Sequence, residues 1–268
     1  MSEAVFARTL AEIAKHVPPI RVAVMYHGGE PLLNRRFPEM ARAVKALGIA
    51  KVKTVTNGMF LRGEAIAAII RSSLDEIEIS LDGESGSESD AVRRRSSFER
   101  ICANVRSLAL SIRDSGSPLR ISIATTQFKR PGQNGEAEAP AWLRAAFAEF
   151  PDITFKATWA MLWPNWLPKA GFDVLPAPAD HVAPRSCDLL DETLTIRADG
   201  TAVVCCYDLT STSNLGNILE ADLADIWEGA HAEFAERFSR GDYPPPCDTC
   251  GHVIGHQHLR PAAHLRHA

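Results

Sequence analysis

The chain has 268 residues, 46% hydrophobic and 23% charged, with a formal net charge of −4. That length buries enough core for one sizeable domain and a smaller companion, and the mild negative charge gives no reason to expect nucleic acid as a partner. No apolar run approaches the roughly 20 residues that cross a bilayer, and the N-terminus lacks the charged-then-apolar plan of a secretory leader. The expectation is a cytoplasmic protein without membrane contact. In that setting disulfides are disfavoured and clustered thiols read as metal ligands.

From Ser2 to about Val17, apolar residues at Phe6, Leu10, Ile13 and Val17 mark one face of a helix. Arg21 to Tyr26 reads as a buried strand ended by His27-Gly28-Gly29-Glu30-Pro31. A helix follows with Phe37, Met40, Val44 and Leu47 on one face and Gly48 near its end. Lys51 to Thr56 is a second strand ended by Asn57-Gly58, Leu61 to Ser72 a helix, and Glu76 to Leu81 a strand ended by Asp82-Gly83. Ser96 and Glu99 suggest a capping box for a helix using Phe98, Ile101, Val105, Leu108 and Ile112. Leu119 to Gln127 is a strand, Ala141 to Phe150 a helix and Ile153 to Trp159 a strand. This alternation implies parallel strands joined by right-handed crossovers. Five strands predict an α/β fold built as an open, partial barrel over residues 1–160. Five prolines between Pro164 and Pro184 mark residues 161–184 as an extended linker. Residues 185–268 read as a small, irregular, cysteine-rich domain stapled by metal.

Two groups of residues carry chemistry. Ligands of parallel α/β sheets bind at the carboxyl ends of strands, where this sequence repeatedly places small polar residues. Gly28 and Gly29 let backbone amides approach a ligand, and Glu30 is placed to accept hydrogen bonds from a bound amine. Thr56-Asn57-Gly58, Ser80-Leu81-Asp82-Gly83 and Thr125-Thr126-Gln127 end three further strands. The second group is Cys187, Cys205, Cys206, Cys247 and Cys250, spaced C-x17-C-C-x40-C-x2-C. Four thiolates suit either an iron–sulfur cluster or a tetrahedral zinc, and spacing alone does not separate them. Adjacent strand residues face opposite ways, so only one of Cys205 and Cys206 easily reaches a shared centre.

Other conspicuous residues have plainer readings. Cys102 is a buried structural thiol, and His252, His256, His258, His264 and His267 belong to a frayed, solvated tail. Trp159, Trp163 and Trp166 pack in the core or linker, with substrate stacking as the alternative, and Arg93, Arg94 and Arg95 form a solvated face, with one of them reaching a carboxylate as the alternative.

GGEPLL, TNG and ISLDG, followed by a helix containing SFERI, resemble the radical SAM superfamily. Cys187, the LTIRADG run from Leu194 to Gly200, VCCYD from Val204 to Asp208, LGNI from Leu215, DIW from Asp225 and Cys247-x-x-Cys250 resemble its auxiliary-cluster extension, the SPASM domain, or twitch in shorter form. The resemblance spans roughly residues 18–255 and implies a partial barrel of parallel strands that binds S-adenosyl-L-methionine. It further implies that Gly28, Gly29 and Glu30 meet the methionyl end of that cofactor. Asn57, Ser80 and Asp82 would line the cofactor and substrate cleft. Cys187, Cys205, Cys247 and Cys250 would ligate one auxiliary [4Fe–4S] cluster. The implied activity is hydrogen-atom abstraction from a peptide or small polar substrate, with a possible electron donor as partner; no catalytic residue is singled out.

One departure bears on that activity. The C-x3-C-x2-C motif that holds the family's catalytic cluster occurs nowhere in these residues. Three expectations follow: a radical SAM/SPASM enzyme whose opening segment is missing, a non-catalytic iron–sulfur module that binds a partner or shuttles electrons, or a zinc-stapled structural protein.

Overall fold

The computed structural model describes residues 1–16, 19–93, 95–130, 133, 135–165 and 172–261. They form two compact units: residues 19–160, and residues 1–16 together with 161–261. Helix α1 (Glu3–Lys15) therefore joins the C-terminal unit, not the sheet that follows it.

The sheet unit contains β1 (Val22–Val24), β2 (Lys51–Thr56), β3 (Glu76–Ser80), β4 (Arg120–Gln127) and β5 (Thr154–Trp159). They pair in the order β1-β2-β3-β4-β5, every pair parallel. Helices α2 (Phe37–Ala46), α3 (Glu64–Ile70), α4 (Gly86–Val92), α5 (Phe98–Ser115) and α6 (Ala141–Ala145) lie in the connections. Strand residues alternate faces. On one face Val52, Thr54 and Thr56 are buried beside Ile77 and Ile79, which register with Ile121 and Ile123. Helix α5 closes on this face at Gly58. A Cβ there would stand 2.8 Å from Ile101 Cγ2 and 3.1 Å from Ile79 Cγ2, and φ is +73°, so only glycine fits.

The opposite face is ionic. Glu76 accepts hydrogen bonds from Lys51 at 2.5 Å, Lys156 at 2.7 Å and Ser122 at 3.0 Å. Glu78 pairs with Lys156 at 2.8 Å and Lys53 at 3.6 Å. Burial alone would raise the Glu76 pKa, but hydrogen bonds from Lys156, Lys51 and Ser122 outweigh it and hold the carboxyl at about 2.

Several local expectations need correction. The first strand is shorter than Arg21 to Tyr26 and is not buried; it is a sheet edge with one neighbour, leaving Val22 and Val24 49% and 48% exposed. Ser97, not Ser96, caps α5 by accepting from the Arg100 amide, while the Ser96 hydroxyl donates to Arg93 O. The helix expected through Phe150 stops at Ala145 and continues as turns. Helix α4 was not anticipated, because GSESDAV has almost no apolar face.

In the other unit, β7 (Thr195–Ile196), β8 (Thr201–Val203) and β9 (Gly216–Asn217) form an antiparallel sheet. Its helices are α7 (Asp188–Asp191), α8 (Leu223–Ile226) and α9 (Ala232–Arg240), with a π turn at Trp227–His231 joining the last two. Part of the expected linker is a strand, β6 (Phe172–Val174), paired antiparallel with β10 (Leu259–Pro261). Leu190, Ala202, Val204, Leu215, Ile226, Phe234, Phe238 and Val253 make the core.

Helix α1 is fastened here by polar contacts. Arg8 Nε donates to Ile218 O at 3.0 Å, and Arg8 also pairs with Asp222 at 2.5 Å. Glu12 is fully buried, paired with Arg8 at 2.8 Å and Lys15 at 2.5 Å, and accepts the Leu223 amide at 3.0 Å at the start of α8. Burial would raise its pKa, but the Lys15 and Leu223 hydrogen bonds and the Arg8 charge reverse the direction and lower it.

Replacing Glu12 with Ala leaves the Leu223 amide and two cations without their shared acceptor, and should destabilise the fold by about 2 kcal/mol in urea unfolding. The Glu76 ionic contribution is fully present above the ordinary carboxyl pKa of 4.5 and is lost as pH falls toward about 2. Partial exposure of the lysines reduces it to about 2 kcal/mol at neutral pH. The stability gap between wild type and Glu76→Gln should therefore stay constant in unfolding curves from pH 7 to about pH 5 and narrow as pH falls below that toward about 2.

Candidate functional site

The strand ends of the sheet unit are tied together by two carboxylates. Glu30 Oε1 accepts from the Leu32 amide at 3.1 Å and the Thr56 hydroxyl at 2.6 Å, and Oε2 accepts from the Asn57 amide at 2.8 Å. The carboxylate expected to receive a ligand amine is instead largely committed to joining the first turn to the end of β2. Asn57 Oδ1 in turn accepts the Met59 amide at 2.9 Å, and Asn104 from α5 donates to Gly58 O at 2.9 Å, fixing the TNG turn.

Asp82 does the same work further along. Its Oδ1 accepts the Thr126 amide at 3.0 Å and its Oδ2 meets Arg93 Nε at 2.7 Å. Arg93 is thus the arginine that reaches a carboxylate, the alternative to the solvated-face reading; Arg94 lies outside the described residues. Ser80 is half-buried, and by alternation it shares with Asp82 the face that carries Glu76 and Glu78. Gly28 adopts φ +62°. A Cβ built at Gly29 would meet nothing within 4 Å, so packing does not require glycine there and the backbone is open to a close-lying ligand.

In the other unit, Cys187, Cys205, Cys247 and Cys250 all pack against the same apolar core, and Cys206 does not. Cys187 precedes α7, its amide donating to Asp191 Oδ2 at 3.0 Å. Cys205 follows β8. Cys247 opens a 3-10 turn whose return bond, from the Cys250 amide to Cys247 O, spans 3.1 Å. Burial pushes the Cys205 thiol up to about 12, with the charges of Cys206 and Cys250 adding to it. Burial and the charges of Cys205, Cys250 and Cys187 raise Cys247, while burial and Cys187 raise Cys250. Cys247 is thus within reach of the charges of Cys205, Cys250 and Cys187, and Cys205 also of that of Cys206. Among the described residues no three His, Cys, Asp or Glu side chains are gathered tightly enough for a single metal ion.

The loop after Cys206 is built on Asp208. This buried carboxylate accepts the amides of Thr210 at 3.3 Å, Thr212 at 3.0 Å and Ser213 at 2.8 Å, plus the Ser213 hydroxyl at 2.6 Å. Ser213 Oγ then accepts the Val204 amide at 3.1 Å, immediately before Cys205. Burial would raise the Asp208 pKa, but the Ser213 and Thr212 bonds lower it. Asp208 lies in VCCYD, yet only the fold reveals its five-residue loop. Tyr207 is also drawn in: burial first, then the charges of Cys206, Cys250, Cys205 and Cys187, push its phenol up to about 12.

The plainer readings fare unevenly. Cys102 is buried, and burial raises its thiol to about 11. His252 and His256 are not frayed: their rings meet through Nδ1 and Nε2 at 3.0 Å in an ordered turn, and His258 bridges to Met161. His264, His267 and Trp166 lie outside the described residues.

Residues 2–119 match the radical SAM superfamily, and residues 187–251 match the SPASM iron–sulfur cluster-binding domain. The chain thus combines a segment similar to the radical SAM superfamily with a C-terminal segment similar to the SPASM domain. The superfamily match contains the strand-end residues Gly28 to Asp82, and the SPASM match starts at Cys187 and ends one residue past Cys250. GTP 3',8-cyclase of Chlorobaculum tepidum is 35% identical over 79 residues, 29% of this chain and 24% of the relative. Mycofactocin maturase MftC of Mycolicibacterium smegmatis is 25% identical over 250 residues, 84% of this chain and 62% of the relative. The chain thus spans less than two thirds of either curated relative. The fold of this chain is shared with BtrN, solved with AdoMet and 2-DOIA, at TM-score 0.56 and 13% identity over 96% of this chain and 82% of BtrN. It is also shared with Streptococcus suis SuiB, solved with S-adenosylmethionine, at TM-score 0.50 and 14% identity over 92% of this chain and 64% of SuiB. Among the described residues no helix is long and apolar enough to cross a membrane.

Asp208→Ala should strand three amides and a hydroxyl and cost about 3 kcal/mol. Hydrogen exchange at Thr212 and Ser213 should accelerate well before global unfolding.

Proposed function

We propose that this chain binds one auxiliary [4Fe–4S] cluster through Cys187, Cys205, Cys247 and Cys250. In this reading it presents S-adenosylmethionine to a peptide or small polar substrate along the strand ends of a partial barrel. The observation that carries the proposal is the packing of these four thiols, and not Cys206, against one core. Soft thiolate donors suit iron–sulfur centres. A zinc would need all four sulfurs within about 2.3 Å of one point, whereas a cubane takes each thiolate at a separate iron corner. The similarity of residues 187–251 to an iron–sulfur cluster-binding domain supports the cubane. Metal ligation deprotonates the thiols, reversing the upward push of burial.

Glu30 and Asp82 hold the strand-end turns in place, and the open backbone at Gly29 leaves room for the methionyl end. BtrN and SuiB, which share the fold, were solved with this cofactor. S-adenosylmethionine on a reduced iron–sulfur cluster is the family's source of a hydrogen-abstracting radical. No C-x3-C-x2-C occurs among these 268 residues, so they provide cofactor and substrate positioning and the auxiliary ligands, not that motif.

Anaerobic reconstitution should load about four iron and four sulfide per chain, with visible charge-transfer absorption. Cys205→Ser should lose most of the iron and Cys206→Ser should keep it. A colourless protein carrying one zinc and no sulfide would sink the proposal.

A further inference from the structure

The segment Met161–Asn165 runs across the thiol centre within the SPASM unit. Leu162 O accepts the Gly251 amide at 2.9 Å, next to Cys250, and a Cβ on Gly251 would stand 2.6 Å from that oxygen. The Asn165 amide donates to Thr249 Oγ1 at 3.0 Å, inside the Cys247–Cys250 turn, and Asn165 Nδ2 donates to Thr212 Oγ1 at 3.0 Å, on the Asp208 loop. Between these anchors Trp163 lies on Tyr207, ring centroids 4.9 Å apart and planes inclined by 49°. Trp163 is 37% exposed and Tyr207 is half-buried, so Trp163 is the outer ring of the pair. Tyr207 sits two residues from Cys205, in a loop held by the Asp208 amide donating to Cys205 O at 3.2 Å, and its phenol lies within reach of the charges of Cys206, Cys250, Cys205 and Cys187.

We propose that Trp163 and Tyr207 form an aromatic cover over the cysteine centre: Tyr207 positions its hydroxyl as a hydrogen-bond donor to the iron–sulfur group, and Trp163 keeps water from it. This rests on the cluster assignment above. Both residues act on the group's redox potential without ligating it. A donor to a cluster sulfur stabilises the more negative, reduced state, so removing it moves the potential down. Water admitted to the site also stabilises the reduced state, so removing the outer ring moves the potential up. The two substitutions should act with opposite signs, which a general loss of packing would not produce.

The test uses the anaerobically reconstituted full chain. Iron and sulfide analysis of the wild type comes first, and a wild type that holds no cluster overturns the assignment rather than the cover. With the cluster present, an EPR-monitored redox titration should show a more negative midpoint potential for Tyr207→Phe and a less negative one for Trp163→Ala. The Trp163→Ala cluster should also bleach severalfold faster in air. A loaded Tyr207→Phe with the wild-type potential overturns the hydroxyl's role. If Tyr207→Phe does not retain iron, Trp163→Ala decides: an upward shift with faster bleaching supports the cover, and wild-type values for both refute it.

Discussion

Four cysteine sulfurs share the flank of a core made from only eight buried side chains. A core so small contributes little stability once the entropy of ordering the chain is counted. The thiols aggravate the problem, because burial and mutual repulsion both oppose ionisation. In the proposed function, a bound iron–sulfur group would offset both by exchanging protons for metal bonds and crosslinking segments far apart in the chain. Polar contacts fix the backbone around these cysteines. Asp208 folds the loop after Cys206, Asp191 holds the amide of Cys187, and a 3-10 turn sets Cys247 against Cys250.

The sheet unit solves a different problem. Its covered face is apolar and closes on α5 through Gly58, while its other face carries alternating lysines and carboxylates whose charges neutralise one another across β2, β3 and β5. Towards the strand ends the ladder gives way to Ser80 and Asp82, and the polar groups begin to serve turns rather than neighbours. Ionic bracing in the body of the sheet and hydrogen-bonded turns at its rim leave the rim backbone at Gly28 and Gly29 available to a ligand.

Much of this was legible in sequence. Strands β2 to β5 declare themselves through β-branched alternation, and the segment from Cys187 to Cys250 coincides with the SPASM match. What escaped was information that periodicity does not carry. The period of α1 reveals a helix but not its partner; only the buried Glu12 and the Leu223 amide reveal that. Arg93 looked like one of three solvated arginines because nothing local says that its side chain turns back eleven residues to Asp82. Helix α4 is too polar to show a face. At Glu30 the sequence shows a carboxylate at a strand end but not the three donors that the fold brings to it, a turn-fixing role additional to the ligand contact expected there.

Because α1 is fastened to residues 218–223 while its chain continues into the sheet, the sheet unit is topologically an insertion within its neighbour. The host unit is discontinuous: it is interrupted after residue 16 and resumes at residue 161. Proteolytic scission at either junction would therefore leave α1 noncovalently retained, and a fragment starting at the second junction would lack a helix that its own α8 uses as a cap.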